Sequence, residues 1–510
     1  MSAVTPPPFR KVLIANRGEI SIRVQSTLRE MGIVACAIYS EPDRTARHTL
    51  FADEAYPVGP GPSSESYLSI ERVLEAARTA KVDAIHPGYG FLSENAEFAR
   101  ACVDAGFTFI GPTPESMRSM GNKLSAREIM EEAGVPVVPG LTEPVADPDR
   151  AIEVAAGIGY PVLLKAASGG GGKGMRVVQS AKEMPSALDR TMGEARSAFG
   201  DPSIFVEKFI ERPRHLEVQV MGDTHGNVVH LFERECSVQR RHQKVIEESP
   251  SPSIDEDTRQ RLCAAAVDAA RAVDYHGAGT VEFIADENDD FYFLEMNTRL
   301  QVEHPVTEEV VGVDLVRAQV EVAAGRELPW RQENLHQRGH AMEFRIYAED
   351  PFNNFAPSLG TVLRLRTPQG AGIRNDLGIR EGYTVPLHYD PMLSKLIVFG
   401  EDREACLARS RRALDEYRLL GFVHNVALHR WVVQHEEFRR GRYSTRLLDG
   451  FDPEELKAFL QDDEYDVMAA ALALVEAGVG EASHATGSAP PELSRWGHVG
   501  RALMNHRNRT

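Results

Sequence analysis

The stretch GAGTVEFIADENDDFYFLEMNTRLQVEHPVTE, residues 277–308, concentrates side chains that can do chemistry. It reads as two strands around the turn ENDD. A four-residue turn pairs Ile284 with Phe293 and sets Glu282 opposite Glu295. Two carboxylates facing each other across a hairpin repel unless a cation lies between them. A hard dication such as Mg²⁺ resolves that clash and can bridge to nucleotide phosphates. From Glu295 onward, Asn297, Arg299, Gln301 and Glu303 fall at every second position, with Met296, Thr298, Leu300 and Val302 between them. In an extended strand this gathers five polar groups on one face. Ordinary solvated strands alternate too, but here the face grades from metal-type ligands to a guanidinium, an amide and a further carboxylate. It has a metal end and an anion end.

A second stretch, KAASGGGGKGM at Lys165–Met175, places four glycines in a row. Such a run loses much conformational freedom on folding unless its backbone has a task. Its flanks, YPVLLKAA and MRVVQS, are strand-like, so the run is a hairpin tip and not a Rossmann turn leading into a helix. A Walker A loop needs Ser or Thr after its lysine, where this chain has Gly174. A glycine hairpin can fold over a triphosphate, its N–H groups donating and Lys173 countering charge. Lys165 and Lys123 can reach the same phosphates. The kinase motifs HRD and DFG are missing. A third stretch, SVQRRHQKVIEE, gathers Gln239, Arg240, Arg241, His242 and Lys244, a candidate anion pocket in an otherwise acidic chain.

The elements that hold these groups follow from periodicity. KVLIAN, IVACAIYS, VDAIHP and FTFIGP read as strands alternating with helices, which predicts a doubly wound parallel sheet over about the first 115 residues. The turn NRGEI after the first strand lacks the dinucleotide glycine fingerprint. Ala126, Ile129, Met130 and Ala133 mark one helix face, stopped by Gly134 and Pro136. A small α+β unit follows to about residue 210, then HLEVQVMGD and NVVHLFER as long strands. Helices are expected near Asp257–Tyr275 and Thr307–Gly325. From Arg338 to about Phe451 a strand-rich region gives way to helices, then a helical and linker tail.

With 510 residues, 42% hydrophobic and 26% charged, the chain is a multidomain globular protein. A net charge of −18 argues against non-specific nucleic-acid binding. Five cysteines without CxxC spacing fit reduced thiols better than disulfides or zinc. The start MSAVTPPPFRK has no signal-peptide core, and no apolar run approaches a membrane span. A cytoplasmic enzyme is the expectation.

The segments HPGYGFLSENAEFA, KAASGGGGKGM, FVEKFIERPRHLEVQV, ERECSVQRRHQKVIEESP and FLEMNTRLQVEHPVTE closely resemble those of biotin carboxylases, members of the ATP-grasp family, in collinear order over about residues 9–450. The resemblance implies an α/β architecture. It comprises a Rossmann-like preATP-grasp domain at 9–121, an ATP-grasp domain at 122–334 with a mobile glycine-loop lid at about 141–210, a C-terminal α+β domain at 335–452, and a tail at 453–510. By that resemblance ATP is held by Lys123, Lys165, Gly170, Gly171, Gly172 and Met175, with Glu207, Lys208 and Ile210 as the adenine hinge and His215, Gln239 and His242 nearby. Glu282, Glu295 and Asn297 are implied ligands of Mg²⁺, or of Mn²⁺ in its place. Lys244, Arg299, Gln301, the Val302 backbone and Glu303 are implied to bind bicarbonate, with Glu303 as the base. Arg345 is implied to stabilise the biotin enolate, and Tyr89 to approach biotin.

The implied reaction deprotonates bicarbonate for attack on the γ-phosphorus of ATP, giving carboxyphosphate and ADP. Carboxyphosphate then yields CO₂ and the phosphate that deprotonates biotin. Lys173 stands where arginine is frequent in the family and Tyr347 where some members have asparagine, and neither change removes a group this chemistry needs. Another ATP-grasp ligase making carboxyphosphate is a rival, disfavoured by TRLQVEHPVTE and RRHQK. A nucleotide-binding scaffold without turnover is a second. HAMEF at His340–Phe344 lacks the acceptor lysine of a biotin-attachment sequence. The biotin carrier and carboxyltransferase are therefore expected as separate chains, in an acetyl-CoA or related acyl-CoA carboxylase, with a two-subunit pyruvate carboxylase as the alternative. A homodimer is the family expectation. The tail from about Pro453 is a candidate docking segment for a carrier or partner, with a disordered solubilising tail as the alternative.

Overall fold

A computed structural model describes residues 7–140, 143–166, 175–199 and 202–460. Its first strand, Lys11–Ile14, carries Val12, Leu13 and Ile14 with no exposed surface. A continuous apolar run suits a parallel strand covered on both faces. It pairs in parallel with Val34–Ser40 on one side and Ala84–His86 on the other, and Thr108–Phe109 extends the sheet beyond the latter. The doubly wound sheet is present, with one addition. Glu54–Gly59 forms the far edge beside Val34–Ser40, and its Pro57 is tolerated because an edge strand leaves one side unpaired. The strand order reverses at Lys11–Ile14, so the loops carrying Asn16 and Tyr89 leave the sheet at the switch point where α/β crevices form.

The small unit is a three-stranded antiparallel sheet with Val162–Ala166 between Met175–Val178 and Ile204–Lys208. Helices Pro148–Ile158 and Met184–Phe199 pack on it, and it has its own apolar core around Val162, Leu164 and Leu188. The glycine run between the first two of these strands, Gly170, Gly171, Gly172 and Lys173 included, lies outside the described residues.

The dominant feature is an eight-stranded antiparallel sheet. Its order is Phe291–Asn297, Gly277–Ala285, Arg214–Gly222, Val228–Arg240, Gln243–Ser249, His340–Tyr347, Met392–Gly400 and Ile373–Leu377. Gln243–Ser249 pairs directly with His340–Tyr347, so the middle and C-terminal regions share one sheet. That pairing satisfies strand edges that two separate sheets would leave open. The core beneath the C-terminal strands includes Phe344, Leu396 and Phe438.

Three expectations change. Glu282 does face Glu295, but Ile284 pairs with Tyr292 and not Phe293, because the register shifts between Glu282 and Phe283. The bulge at Leu294 absorbs the extra residue. The alternating run does not continue as a strand, since Phe291–Asn297 ends at Asn297 and residues 298–303 form a loop. The helix expected over Thr307–Gly325 is two helices, His304–Val311 and Leu315–Ala323. Gly312 takes a left-handed turn at φ +78° and Asp314 caps the second helix through the Arg317 N–H. Among the described residues no helix is long and apolar enough to cross a membrane. All five cysteines are free and buried.

Candidate active site

Two neighbouring strands of the large sheet, Gly277–Ala285 and Arg214–Gly222, and the loop after Asn297 send carboxylates to one ammonium group on Gln243–Ser249. Lys244 enters from the hairpin whose register pairs Gln239 with Lys244. Its Nζ donates to Glu282 Oε1 at 2.8 Å, to Glu303 Oε1 at 2.6 Å and to Glu217 Oε2. Burial alone would favour neutral lysine, but Glu217, Glu282 and Glu303 overcome it and hold the ammonium charged well above its usual range. The carboxylates respond in kind. Burial would raise Glu303, yet Lys244, Arg345 and Arg234 hold it well below the usual carboxylate range. Glu282 is likewise held low by Lys244 and His215 against its burial.

The loop reaches the cluster without being a strand. Gln301 Nε2 donates to Glu282 Oε1 at 3.2 Å, and Asn297 Nδ2 to the same oxygen at 2.9 Å. Arg299 Nη1 donates to Gln301 Oε1 at 2.9 Å and Nη2 to Asn297 Oδ1 at 3.0 Å. Its Nε reaches Glu94 Oε2 at 2.9 Å, tying the loop to the N-terminal domain. Glu303 sits at the N-cap position of the helix His304–Val311, with its side chain turned to Lys244 and Arg345 instead of the helix N–H groups, and is fully buried. Arg345 bridges Glu303, through Nη2 at 2.9 Å, and Glu247, through Nε at 2.6 Å. Its carbonyl accepts from Asn425 and His429, which fixes the backbone beneath it.

The remaining candidates divide. His215 lies 3.1 Å from Glu282 and its Nδ1 meets Gln239 Nε2 at 3.0 Å, so both join the cluster. His242 instead occupies the exposed tip of the hairpin at φ +66°. Lys165 and Glu207 approach to 3.8 Å across the small sheet, with Met175 in register with Lys165. Lys208 donates to Asp286 and Tyr292, and Ile210 is buried beside that strand. Lys123 begins the helix Lys123–Glu132, and its side chain lies outside the described residues. Glu295 is held opposite Glu282 by strand register.

Tyr89 lies across the crevice, its ring 5.9 Å from Lys395 Nζ. Asn16 Nδ2 holds its loop by donating to Pro87 O at 2.8 Å and Tyr89 O at 2.7 Å. Gly88 sits between at φ +66°, where an added Cβ would meet Asn16 Nδ2 at 2.9 Å. Gly88→Ala is therefore expected to lower stability by about 1–2 kcal/mol and displace Tyr89. The measurement is urea unfolding of Gly88→Ala beside wild type.

Sequence reasoning missed Glu217, Arg234, Glu247, Lys395 and Asn16. Arg234 is fully buried and donates to Glu217 Oε1 at 2.5 Å, Gln219 Oε1 at 2.8 Å, Thr307 Oγ1 at 2.9 Å and Thr280 Oγ1 at 3.0 Å. Lys395 is also fully buried and donates to Val302 O at 2.8 Å. The missed signal was alternation in HLEVQV, where His215, Glu217 and Gln219 share a face.

The donor set suits a hard dication. Glu282 and Glu295 offer carboxylates from one register pair, and oxygen donors are what Mg²⁺ takes. Nearby, single donor atoms of His215, Glu217 and Glu282 lie within 4.8 Å of one another.

A buried cation ringed by carboxylates on a large antiparallel sheet is a site of the kind that ATP-grasp ligases carry. Residues 8–117 match the family described as biotin carboxylase, N-terminal domain. Residues 122–331 match the carbamoyl-phosphate synthase L chain ATP-binding domain, and 343–450 the biotin carboxylase C-terminal domain. The chain is 52% identical over 437 residues to a biotin carboxylase of Halalkalibacterium halodurans, covering 86% of this chain and 96% of that one. It is 50% identical over 460 residues to a pyruvate carboxylase subunit of Methanothermobacter thermautotrophicus, covering 89% and 94%. The biotin carboxylase domain of Hydrogenobacter thermophilus 2-oxoglutarate carboxylase, solved as a dimer with MgADP and bicarbonate, is 46% identical with a TM-score of 0.79, covering 86% and 97%. The chain belongs to the biotin carboxylases, and it is a ligase-type carboxylase.

Proposed function

We propose that this chain uses ATP and bicarbonate to carboxylate biotin carried on a separate protein, as the first half-reaction of a multisubunit acyl-CoA carboxylase. The observation that carries the reading is the Lys244 ammonium shared by Glu217, Glu282 and Glu303, with Arg345 on the far side of Glu303. One carboxylate is thus held between two cations that an incoming anion also needs. The domain limits 9–121, 122–334 and 335–452 belong to the same proposal.

In this reading Lys244, Arg299, Gln301 and the Val302 backbone hold bicarbonate, and Glu303 accepts its proton as it attacks the γ-phosphorus. Lys123, Lys165 and the glycine run hold the phosphates, Glu207, Lys208 and Ile210 the adenine, with His215 and Gln239 beside the metal end. Glu282, Glu295 and Asn297 would hold Mg²⁺ or Mn²⁺, which supplies positive charge to the developing phosphoryl oxygens. Arg345 then meets the oxygen of the deprotonated ureido group, with Tyr89 at the biotin entrance, and the lid keeps CO₂ from water. Acetyl-CoA is the acceptor we favour for the completed complex. A pyruvate carboxylase remains the specific second reading, supported by the 50% identity to one chain of such an enzyme. Self-association as a homodimer is part of the proposal, as the family leads one to expect.

ADP release from the purified chain with MgATP, varying bicarbonate and free biotin independently, tests this. Release that needs bicarbonate and rises strongly with biotin is the expected result. Release indifferent to biotin would favour another carboxyphosphate-forming ligase. Nucleotide binding without turnover would favour a scaffold.

A further inference from the structure

A pair of buried carboxylates lies directly behind the Arg345 guanidinium. Glu247 and Glu343 are register partners on adjacent antiparallel strands, and neither exposes any surface. Arg345 engages one oxygen of Glu247. The other Glu247 oxygen and both oxygens of Glu343 have no hydrogen-bond partner among the described residues. Two facing carboxylates in a dry interior repel, and a buried charge without donors is costly.

The surroundings do not relieve this. Glu343 faces Ile397 on the neighbouring strand, and Ile397 and Ala341 pack against Val306 and Val310 of the helix His304–Val311. Lys395, the register partner of Arg345, stands diagonally from Glu343. Its ammonium is engaged by Val302 O at 2.8 Å, with Glu19 at 3.3 Å and Asp376 at 3.7 Å. The charged groups around Glu343 are therefore Glu247 from one strand, Lys395 from the other, Arg345 from its own, and Glu303 at the helix start.

We propose that Glu343 is a neutral carboxylic acid in the working protein, donating its O–H to the unpaired oxygen of Glu247 and so fixing that carboxylate behind Arg345. One shared proton satisfies two orphaned oxygens and leaves a single negative charge on the pair. Burial pushes Glu343 well above the usual carboxylate range, with Glu247 adding to it against Lys395 and Arg345. Burial also pushes Glu247 up to about 7, against the pull of Arg345. Glu343 is a positioning residue: it never reaches substrate, and acts through Glu247 on the guanidinium. Loss of its proton at high pH would put a second charge behind Arg345 and draw the guanidinium off the substrate side. The catalytic consequence rests on the carboxylase reading; the protonation state does not.

The test compares wild type, E343Q and E343M as full chains. The infrared spectrum without substrate is expected to show a protonated-carboxyl stretch at neutral pH that shifts in heavy water and is lost in E343Q. Biotin-dependent kcat is expected to fall about tenfold in E343M, with KM for ATP unchanged, and only about twofold in E343Q, whose amide still donates. The alkaline fall of the wild-type rate should be absent from E343Q. Equal impairment of the two variants, an unchanged alkaline limb, or no difference in the carboxyl band would each overturn the proposal. A wild-type chain without biotin-dependent turnover would sink the carboxylase reading alone, because the band is read without substrate.

Discussion

Glu303→Gln is expected to abolish bicarbonate-dependent ADP release, lowering kcat by about 10²–10⁴-fold with nucleotide binding retained. The carboxylate is fully buried and capped on both sides, by Lys244 Nζ at 2.6 Å and Arg345 Nη2 at 2.9 Å. Those cations keep it ionised, which a proton acceptor requires. They are also the groups an anionic substrate would recruit. In the proposed reading, bicarbonate takes contacts from Lys244, so Glu303 loses a partner that holds its lone pairs and becomes a better base next to the proton it must take. Glutamine preserves the shape and one of the two accepted hydrogen bonds, turns an amide donor toward the other cation, and has no site for that proton. The fold should survive, since Lys244 keeps Glu217 and Glu282 and Arg345 keeps Glu247. The check is single-turnover ADP formation beside a nucleotide-binding titration. Turnover within tenfold of wild type would remove Glu303 as the base.

The alternation from Glu295 to Glu303 picks out residues that the structure brings together, but for a partly wrong geometric reason. Glu282 meets Glu295 because a bulge at Leu294 restores the register, and bulges leave little trace in a single sequence. Arg299, Gln301 and Glu303 converge from a loop and a helix cap, where period-two logic has no force. Local signals worked where local physics dominates: apolar runs gave the parallel sheet, and Gly134 with Pro136 ended a helix at Glu132. Long-range pairing was not legible. Nothing local in HAMEFRIY says that it will pair with KVIEES, so the sharing of one sheet by two regions went unread. For the same reason the roles of Arg234 and Lys395, charges set in apolar strands, are not legible in the sequence. Their partners come from residues 217, 219, 280 and 307 for Arg234, and 19, 302 and 376 for Lys395.

Glu217→Ala is expected to destabilise the protein by about 3–5 kcal/mol, the largest stability effect in the site. Glu217 carries two cations at once: Arg234 on Oε1 and Lys244 on Oε2. Arg234 has no exposed surface, and its other acceptors, Gln219, Thr280 and Thr307, are neutral. Removing Glu217 therefore leaves a guanidinium buried without a direct counter-charge, and such a group cannot escape by losing its proton. Lys244 is better placed, because Glu282 and Glu303 remain. A double variant, Glu217→Ala with Arg234→Met, removes the stranded charge along with its partner. It should recover much of the lost stability, since a buried pair replaced by apolar groups is often neutral. Urea unfolding of the single and double variants reads this directly. Recovery in stability without recovery in turnover would show Glu217 holding Lys244 in place for substrate as well as supporting the sheet. A single variant as stable as wild type would mean that the Thr and Gln dipoles alone solvate Arg234.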